Sequence, residues 1–331
     1  MDVLSDVLKA VRLTGAIFFE RHVHAPFAGE SPPSAAIASV VMPDAKHMIS
    51  FHAILSGSCW AALAGGSDSS ARFNAGDIVI YPRGDANVLS SAPGMRGVPD
   101  FEQYCRLKGR PLPIVTHHND GGAGYCHLVC GYFGCDARPF NPLLEALPSM
   151  LLSQMSATGQ SWLSGMLRLA AEEAEHGGAG SEGLLARLAE LVFIEVVRKY
   201  INDLPEDSKG WLSGLKHRHV GHALRLIHGQ PAKPWTLAML AREVGLSRSV
   251  FADRFARYVG VSPMHYLGRW HMQLAIRRLT IPGVSVAGRS RGRLRIRSRF
   301  QPRLQEICRC AARLVAKGPV INGGPEMTPV G

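Results

Sequence analysis

The sequence lacks any apolar run long enough to cross a membrane. A spanning helix needs about 20 consecutive apolar residues, and no stretch of the chain comes near that length. We also expect no secretion signal, because Asp2 and Asp6 stand where such a signal carries positive charge. Residues 1–13 have the pattern of a short amphipathic helix instead. We therefore expect a cytoplasmic protein whose 331 residues, 46% of them hydrophobic, form two or three domains.

The cysteines do not form the paired C-x2-C motifs that are typical of structural zinc sites. Their odd number, without a leader, predicts reduced thiols rather than a disulfide framework: Cys59, Cys105, Cys126, Cys130, Cys135, Cys308 and Cys310. Histidines accompany one group of them: His117, His118 and His127. Cys126 and Cys130 lie four apart on a predicted strand and so share a face without any metal. Buried structural cysteines are favoured over a zinc site.

Acidic residues are scarce in the C-terminal part of the chain. Residues 1–213 hold 16 Lys and Arg against 22 Asp and Glu, a net charge of −6. Residues 214–331 hold 21 against 4, a net charge of +17. A basic part joined to an acidic part indicates one nucleic-acid-binding domain and one domain that senses something else.

The most informative pattern lies in residues 236–279. Thr236 is placed to cap a first helix, and Gly245 can end it because glycine tolerates positive φ. One face of this helix is apolar: Leu237, Leu240, Ala241 and Val244. Ser247 is the expected N-cap of a second helix, whose buried stripe is Val250, Phe251 and Phe255. Two short helices and a tight turn predict a helix-turn-helix that enters the DNA major groove, although periodicity alone also fits an ordinary helical hairpin.

A third helix is predicted over residues 264–279, after the break Gly-Val-Ser-Pro. The whole run PWTL...LA...GLSRSVFADRF....GVSPMHYLGRWHMQLA resembles the first helix-turn-helix and connecting helix of AraC/XylS-type bacterial transcription regulators. This resemblance implies sequence-specific binding to double-stranded DNA. The expected DNA-binding residues are Thr236, Arg248, Ser249, Ala252, Asp253, Arg254 and Arg257.

These residues have different expected roles on DNA. Arg248 and Ser249 lie at the N-terminal end of the second helix, where side chains reach base edges or phosphates. Arg254 and Arg257 are better placed for phosphates. Asp253 departs from the family pattern, which often has a basic residue there. A carboxylate at this position either repels phosphate or selects a cytosine amino group.

Residues 15–129 contain short strands separated by Gly, Pro, Ser and Asp, which favours a sandwich or barrel over a βαβ sheet. Residues 51–60 and 76–87 resemble the AraC-binding type of cupin barrel, a similarity that extends over roughly residues 10–135. Two histidines spaced two apart, His22 and His24, are candidates to point into the barrel interior.

Metal-binding cupins have a histidine where this chain has Asn87. They take two more histidines and a carboxylate from the earlier strand pair, where this chain offers only His52. A bound metal normally needs three or more protein ligands, so no metal or other cofactor is expected and the pattern argues against a metalloenzyme. An effector-binding interior is the alternative, with His52, Trp60 and Tyr81 as candidate contacts. Each of the three is also consistent with a plain core residue.

Residues 140–205 change to helical periodicity in three segments. The third segment carries one continuous stripe: Leu184, Leu188, Leu191, Val192 and Glu195. In AraC-like regulators the helices after the barrel can form the dimer contact, so the resemblance implies a homodimer. Simple covering of the barrel is the open alternative. Residues 205–210 are polar and turn-rich and predict a linker, and residues 219–228 predict the first helix of the DNA-binding domain.

The second helix-turn-helix of the AraC pattern is absent from its expected place after residue 287. The chain has closely spaced arginines there. One interpretation is that this segment is a basic arm that binds the DNA backbone. The alternative is a shifted reading frame. Codons for residues 293–316 can be chosen so that the next frame spells GYESEAAFNRAFKKFVGAPPAWWR, the expected second recognition helix. We hypothesise a short deletion or sequencing error near residues 287–293, which would impair specific DNA affinity.

The sequence thus predicts an α+β, multidomain protein: a cupin-like sensor domain (1–139), a helical dimerisation and linker segment (140–210), the first helix-turn-helix and connecting helix (211–287) and a basic tail (288–331). Its expected function is transcription regulation in response to a small effector, as a homodimer on DNA and, for an activator, with RNA polymerase. The rival is a cupin-type metal-dependent enzyme with an appended basic domain. A tightly held, stoichiometric metal in the barrel would favour that rival.

Overall fold

The computed structural model describes residues 2–66, 70–106, 114–118, 122–136, 140–154, 162–205 and 207–279. The basic tail and the segment that motivates the frameshift hypothesis lie outside these residues. In chain order the helices are α1 (Val3–Ala10), α2 (Ser34–Val41), α3 (Glu102–Cys105), α4 (Pro142–Ala146), α5 (Trp162–His176), α6 (Ser181–Asp203), α7 (Trp211–Lys216), α8 (Arg218–Gly229), α9 (Leu237–Glu243), α10 (Arg248–Val259) and α11 (Pro263–Leu279).

The strands are β1 (Thr14–Ala25), β2 (Ala28–Ser31), β3 (His47–Ser56), β4 (Ser58–Leu63), β5 (Ala71–Asn74), β6 (Ile78–Tyr81), β7 (Asn87–Ser90), β8 (Ile114–His118), β9 (Ala123–Cys135) and β10 (Leu151–Ser153). They form a six-stranded sheet of order β10-β6-β3-β9-β1-β8 and a four-stranded sheet of order β2-β7-β4-β5. The predicted cupin-like β-domain therefore takes the form of a two-sheet sandwich. Alternation along each strand decides which side chains face its interior.

Two hydrophobic clusters lie on opposite faces of the six-stranded sheet. Between the sheets pack Ile54, Phe73, Tyr81 and Leu128. The outer face packs against α5 and α6, where the Phe133 and Phe193 rings have centroids 5.0 Å apart. Gly15 permits this close approach, because a Cβ there would lie 2.9 Å from the Ala189 Cβ. The helices thus cover one side of the sandwich and leave its interior free.

One of the three helical segments predicted for residues 140–205 needs correction. The first segment, predicted as a helix over residues 142–155, forms only the short helix α4, and Leu151–Ser153 pairs with β6 as an edge strand. In α6, two leucines of the predicted stripe, Leu184 and Leu191, are 41% and 46% exposed. The side of α6 that faces the sheet is formed by Leu185, Leu188, Ala189, Val192, Phe193 and Val196. Leu188 and Val192 of the predicted stripe belong to this side, whereas Leu184 and Leu191 face solvent beside it.

The N-terminal helix α1 packs on the C-terminal helices. Asp2 caps it by accepting a hydrogen bond from the Leu4 N–H at 3.1 Å, as an amphipathic first helix requires. Its apolar side contacts α4, α8 and α11. The buried Gln273 of α11 donates to the Ala10 carbonyl at 3.4 Å and accepts from the Phe140 N–H at 3.2 Å. The sandwich side of the molecule is therefore joined to the helices that carry the helix-turn-helix.

Candidate DNA-binding surface and ligand cavity

The turn between α9 and α10 is built from local capping interactions. Thr236 accepts a hydrogen bond from the Met239 N–H at 3.1 Å, and Ser247 accepts one from the Val250 N–H at 3.3 Å. Gly245 has φ +71°, a conformation that favours glycine, and the Leu246 N–H reaches back to the Ala241 carbonyl at 2.9 Å. Both predicted caps and the predicted turn are confirmed.

One side of α10 holds it to the rest of the domain. Phe251 and Phe255 are fully buried, and their ring centroids are 5.7 Å apart in an edge-to-face arrangement. The Phe255 ring also packs against the Tyr266 ring, with the two centroids 5.8 Å apart. Val250, predicted in this stripe, is 44% exposed. It lies about 100° around the helix from Phe251, which removes it from the buried side. Two phenylalanines one turn apart are therefore the anchor of the helix.

The opposite side of α10 is polar. Arg248, Ser249, Asp253 and Arg257 are exposed, while Ala252 and Arg254 are half-buried. Thr236 is also exposed, although its hydroxyl serves the α9 cap. All seven residues expected to bind DNA thus lie on α10 or at the start of α9, with at least part of each accessible.

Charges on this surface are partly compensated. Asp253 lies 3.9 Å from Arg257 one turn later, and both side chains are largely in solvent. A groove of about 630 Å³ runs beside the helix and is lined by His217, Ser249, Val250, Asp253, Arg254, Arg257 and Tyr258. Burial, and then the nearby positive charge of Arg254, lower the pKa of His217. The positive potential of the surface is thus carried by arginine.

A second concave region lies inside the sandwich. It is a cavity of about 710 Å³, within the size range of sites for small molecules. Its walls include apolar side chains from both sheets and from the edges: Phe19, Val23, Phe27, Leu89, Ile114 and Leu128. The polar groups that reach it include Arg21, His52, Gln103, Tyr104 and Tyr132. A largely apolar space with a few fixed polar groups is suited to hold an organic ligand.

His52 lines this cavity, as expected. Its Nδ1 lies 2.8 Å from the Cys130 Sγ and its Nε2 lies 2.9 Å from the Asn87 Oδ1. Asn87 in turn donates to the Ser50 hydroxyl at 3.1 Å. Burial lowers the pKa of His52 to about 4, so its imidazole is neutral at physiological pH. The asparagine found in place of a cupin metal ligand is thus the hydrogen-bond partner of this histidine.

The other two expected effector contacts do not line the cavity. Tyr81 is fully buried in the core, where its hydroxyl donates to the Ala62 carbonyl at 3.4 Å. Trp60 is half-buried on β4 and lies outside the cavity lining. Sequence reasoning missed Arg21, whose guanidinium donates to the Gln103 side chain at 2.6 Å. The alternation of Phe19, Arg21 and Val23 along β1 places these three side chains on one face of the strand. It identifies Arg21 as a cavity residue only once that face is known to point inward.

The histidines and cysteines are divided between the two faces of the six-stranded sheet. Cys126 and Cys130 are buried toward the interior and have free thiols. His127 lies between them in sequence and points to the outer face, where its Nε2 is 2.6 Å from the Glu20 carboxylate. His22 shares that face with Glu20, because Arg21 takes the inward position. The suggested zinc cluster around Cys126 is therefore not assembled, and the expectation that His22 points inward is wrong.

No helix in the described part of the chain is long and apolar enough to cross a membrane. A family model described as cupin matches residues 2–202, and one described as bacterial regulatory helix-turn-helix proteins of the AraC family matches residues 227–267.

Three curated proteins illustrate the similarity along the chain. The HTH-type transcriptional regulator AlkR of Acinetobacter baylyi is 33% identical over 69% of this chain and 74% of its own length. A putative AraC-like transcription regulator of Streptomyces lividans is 28% identical, with coverage of 71% and 75%. The HTH-type transcriptional regulator MtrA of Neisseria gonorrhoeae is 24% identical, with coverage of 67% and 70%.

Proposed function

The chain belongs to the AraC family of bacterial transcription regulators with an N-terminal cupin domain, and from this premise we propose how its parts divide the work. The resemblance seen in the sequence is thereby confirmed, together with DNA-binding transcription regulation as the function. In our proposal α10 is the recognition helix of a regulator that acts in the bacterial cytoplasm. The single observation that carries this assignment is the polar, exposed side of α10 opposite its two buried phenylalanines.

The proposed contacts follow from position along the helix. Arg248 and Ser249 stand at its exposed N-terminal end and read base edges, where an arginine can bind guanine with two hydrogen bonds. Arg254 and Arg257 lie two turns further along and bind phosphates. Thr236 and Ala252 border the same surface and fix how closely the backbone approaches DNA.

Fluorescence anisotropy with DNA from upstream of the protein's own gene tests these contacts. The double variant Arg248→Ala/Ser249→Ala should lower specific affinity at least tenfold and leave binding to random DNA less changed, because each base readout contributes about 1–3 kcal/mol. Arg225→Ala removes an exposed positive charge from α8 and serves as the matched control. Equal losses in the double variant and the control would contradict the assignment.

The sandwich cavity is the proposed effector site, and its polar groups favour an anionic effector. Arg21 is half-buried in the wall and forms no ion pair with any residue that the structure describes. The two carboxylates of the lining are already engaged. Glu30 pairs with Arg96 at 2.8 Å, and Asp100 accepts a hydrogen bond from the Glu102 N–H at 2.9 Å. A guanidinium without an anionic partner, held above apolar walls, suits a small amphipathic carboxylate.

Calorimetric titration of the full chain with a straight-chain carboxylate and with the alcohol of the same chain tests this effector class. The carboxylate should bind at least tenfold more tightly, and Arg21→Ala should abolish the difference. Arg187→Ala, which removes an exposed arginine from α6, should preserve it. Equal binding of acid and alcohol to the unmodified protein would refute an anionic effector.

We also propose that the cupin domain senses rather than catalyses. Support comes from the His52 hydrogen bonds, which occupy both ring nitrogens and leave none for a metal ion in the cavity. Metal analysis after cavity-directed variants such as His52→Ala tests this statement. A stoichiometric metal that disappears in this variant would favour the metalloenzyme.

The route from cavity to DNA is proposed to pass through α1, α4 and α11. Gln273 bridges the end of α1 and the segment before α4, and Arg269 pairs with Glu145 while it lies 4.1 Å from the Phe140 ring centroid. An effector that changes how α1 and α4 pack against α11 changes the position of α11 and hence of α10. Such regulation requires the effector to bind the two arrangements with different affinity.

Dimerisation through α6 is the proposed role of its exposed leucines. Leu184 and Leu191 lie seven residues apart, on one side of the helix, and Leu169 of α5 is 45% exposed. Sedimentation equilibrium should give a dimer for the natural chain and a monomer for Leu184→Asp/Leu191→Asp. Val98→Asp, at another exposed apolar position, is the control and should remain dimeric. An unchanged mass in the leucine variant would leave α6 only the role of covering the sheet.

The frameshift hypothesis remains a proposal about residues 288–331. The nucleotide sequence tests it directly, because codons that cannot spell the motif in the next frame would exclude it. A chain with the restored frame should bind its operator more tightly by several decades, since a second helix-turn-helix would double the base contacts.

A further inference from the structure

Three histidines form a row across the outer face of the six-stranded sheet. His22 of β1 is in register with His117 of β8 on one side and with His127 of β9 on the other. The His22 ring is stacked on both neighbours, with centroids 4.7 Å from His117 and 4.1 Å from His127. Cross-strand pairing, rather than sequence proximity, thus brings the imidazoles together.

A carboxylate lies directly beneath this row. The Glu20 side chain has no exposed surface, and its Oε1 is 2.6 Å from the His127 Nε2 and 3.5 Å from the His22 Nε2. Its second oxygen, Oε2, is buried without a hydrogen-bond partner among the described residues. A buried carboxylate oxygen that lacks a partner is unfavourable unless a cation compensates it.

The donor atoms are already close to a metal-binding arrangement. One donor atom each from Glu20, His22 and His127 lie within 4.8 Å of one another. The His22 Nδ1 is 2.6 Å from the Tyr125 hydroxyl, which orients the ring and leaves the Nε2 to face the carboxylate. Hydrogen bonds of this kind, made by the ring nitrogen that is not a ligand, typically orient histidines at metal sites.

We propose that Glu20, His22 and His127 form a binding site for a divalent transition-metal ion of the zinc class on the outer face of the sheet. Two imidazoles and one carboxylate are a ligand set that suits zinc, cobalt and nickel. The His22 and His127 side chains keep 18% and 13% of their surface accessible, so an ion can enter from solvent.

The ion would replace the hydrogen bond between Glu20 and His127. Their donor atoms would separate from 2.6 Å to about 3.3 Å, the edge of a tetrahedron with metal–ligand distances of about 2.0 Å. This site is separate from the effector cavity, because Arg21 and Val23 point to the opposite face of β1. It is also separate from the position of the metal in metal-binding cupins, which this chain fills with His52 and Asn87.

Cobalt titration of the full-length, metal-free protein tests the site through visible absorption. We expect one Co²⁺ per chain, displaceable by Zn²⁺, with d–d bands and no sulfur-to-cobalt charge-transfer band. His22→Ala and His127→Ala should each weaken binding at least tenfold, and Glu20→Gln should do the same. His265→Ala, which removes an exposed histidine from α11, is the matched control and should bind as the natural chain does.

Thermal unfolding supplies a second readout, which separates loss of metal binding from a loss of stability that the metal-free form shares. Zn²⁺ should raise the Tm of the natural chain and of His265→Ala but not that of His22→Ala, each compared with its own metal-free form. Absence of stoichiometric binding, a charge-transfer band from cysteine, or equal affinities in His22→Ala and His265→Ala would each overturn the proposal.

Discussion

Replacement of Asp253 by asparagine should strengthen binding to DNA. Asp253 lies on the exposed side of α10, 3.9 Å from Arg257, and holds that arginine within a local ion pair. Both side chains are mainly in solvent, 78% and 65% exposed, so the pair contributes little to the stability of the helix. Asp253→Asn therefore leaves the fold intact and frees Arg257 for phosphate.

The size of the effect follows from counterion release. One more phosphate contact steepens the dependence of log K on log salt by about 0.9. If the variant and the natural chain bind equally at 1 M salt, the variant should then bind about fivefold more tightly at 0.15 M salt. Anisotropy titrations over a series of KCl concentrations, with upstream and random DNA, measure both the slope and the affinity. Glu243→Gln removes the same charge from α9, where it is 41% exposed, and controls for net charge.

Two results would refute this reasoning about Asp253. If the slope and the affinity for random DNA do not change, Arg257 does not reach the backbone. If Glu243→Gln gives the same increase, the effect comes from overall charge rather than from the face of α10. A loss of affinity confined to the upstream DNA would instead identify Asp253 as a base contact that accepts from cytosine.

Three further predictions concern stability. Acidification from pH 7 to pH 5 should lower the free energy of unfolding by about 2 kcal/mol through His228, because burial lowers its pKa to about 3 while the unfolded chain takes up the proton near pH 6.5. The free energy of unfolding should therefore decrease as the pH is lowered from 6.5 to 3. Urea-unfolding curves of His228→Gln should not show this decrease. Gly221→Ala would place a Cβ 2.4 Å from a backbone carbonyl oxygen and should destabilise by about 1–3 kcal/mol, whereas Gly268→Ala, with open space around it, should stabilise by about 0.5–1 kcal/mol. Equal shifts of Tm would contradict that contrast. Gln273→Leu should cost about 1–3 kcal/mol, because two buried backbone groups lose their partner; urea unfolding with no change in midpoint would exclude this bridging role.

The helix-turn-helix could be predicted from the sequence because its determinants are local. Thr236 and Ser247 each accept a hydrogen bond from the N–H group three residues later and so cap their own helix. Gly245 provides the positive φ of the turn in which it lies. Val250 was the exception. Its apolar side chain fits the pattern, but it lies about 100° around α10 from Phe251 and is 44% exposed, whereas Phe251 and Phe255 are buried.

The features of the sandwich depend on pairing between distant segments and could not be predicted in the same way. Glu20 and His127 meet across 107 residues, and only the register of β1 against β9 places them side by side. The same register decides that Arg21 faces the cavity while His22 faces outward. A strand pattern predicts that alternate residues share a face, but not which face becomes the interior.

A buried polar network around Tyr266 lies next to α10, the proposed recognition helix. The Trp211 indole N–H donates to the Tyr266 hydroxyl at 2.9 Å, and the His228 Nε2 lies 2.8 Å from the same oxygen. Since the indole can only donate, the tyrosine proton is free to point at His228, whose Nε2 must then accept and whose ring must be neutral. Phe255 packs on the Tyr266 ring, so this single side chain joins α7, α8, α10 and α11. In the proposed route, we therefore expect a displacement of α11 by the sandwich to be passed through Tyr266 to α10.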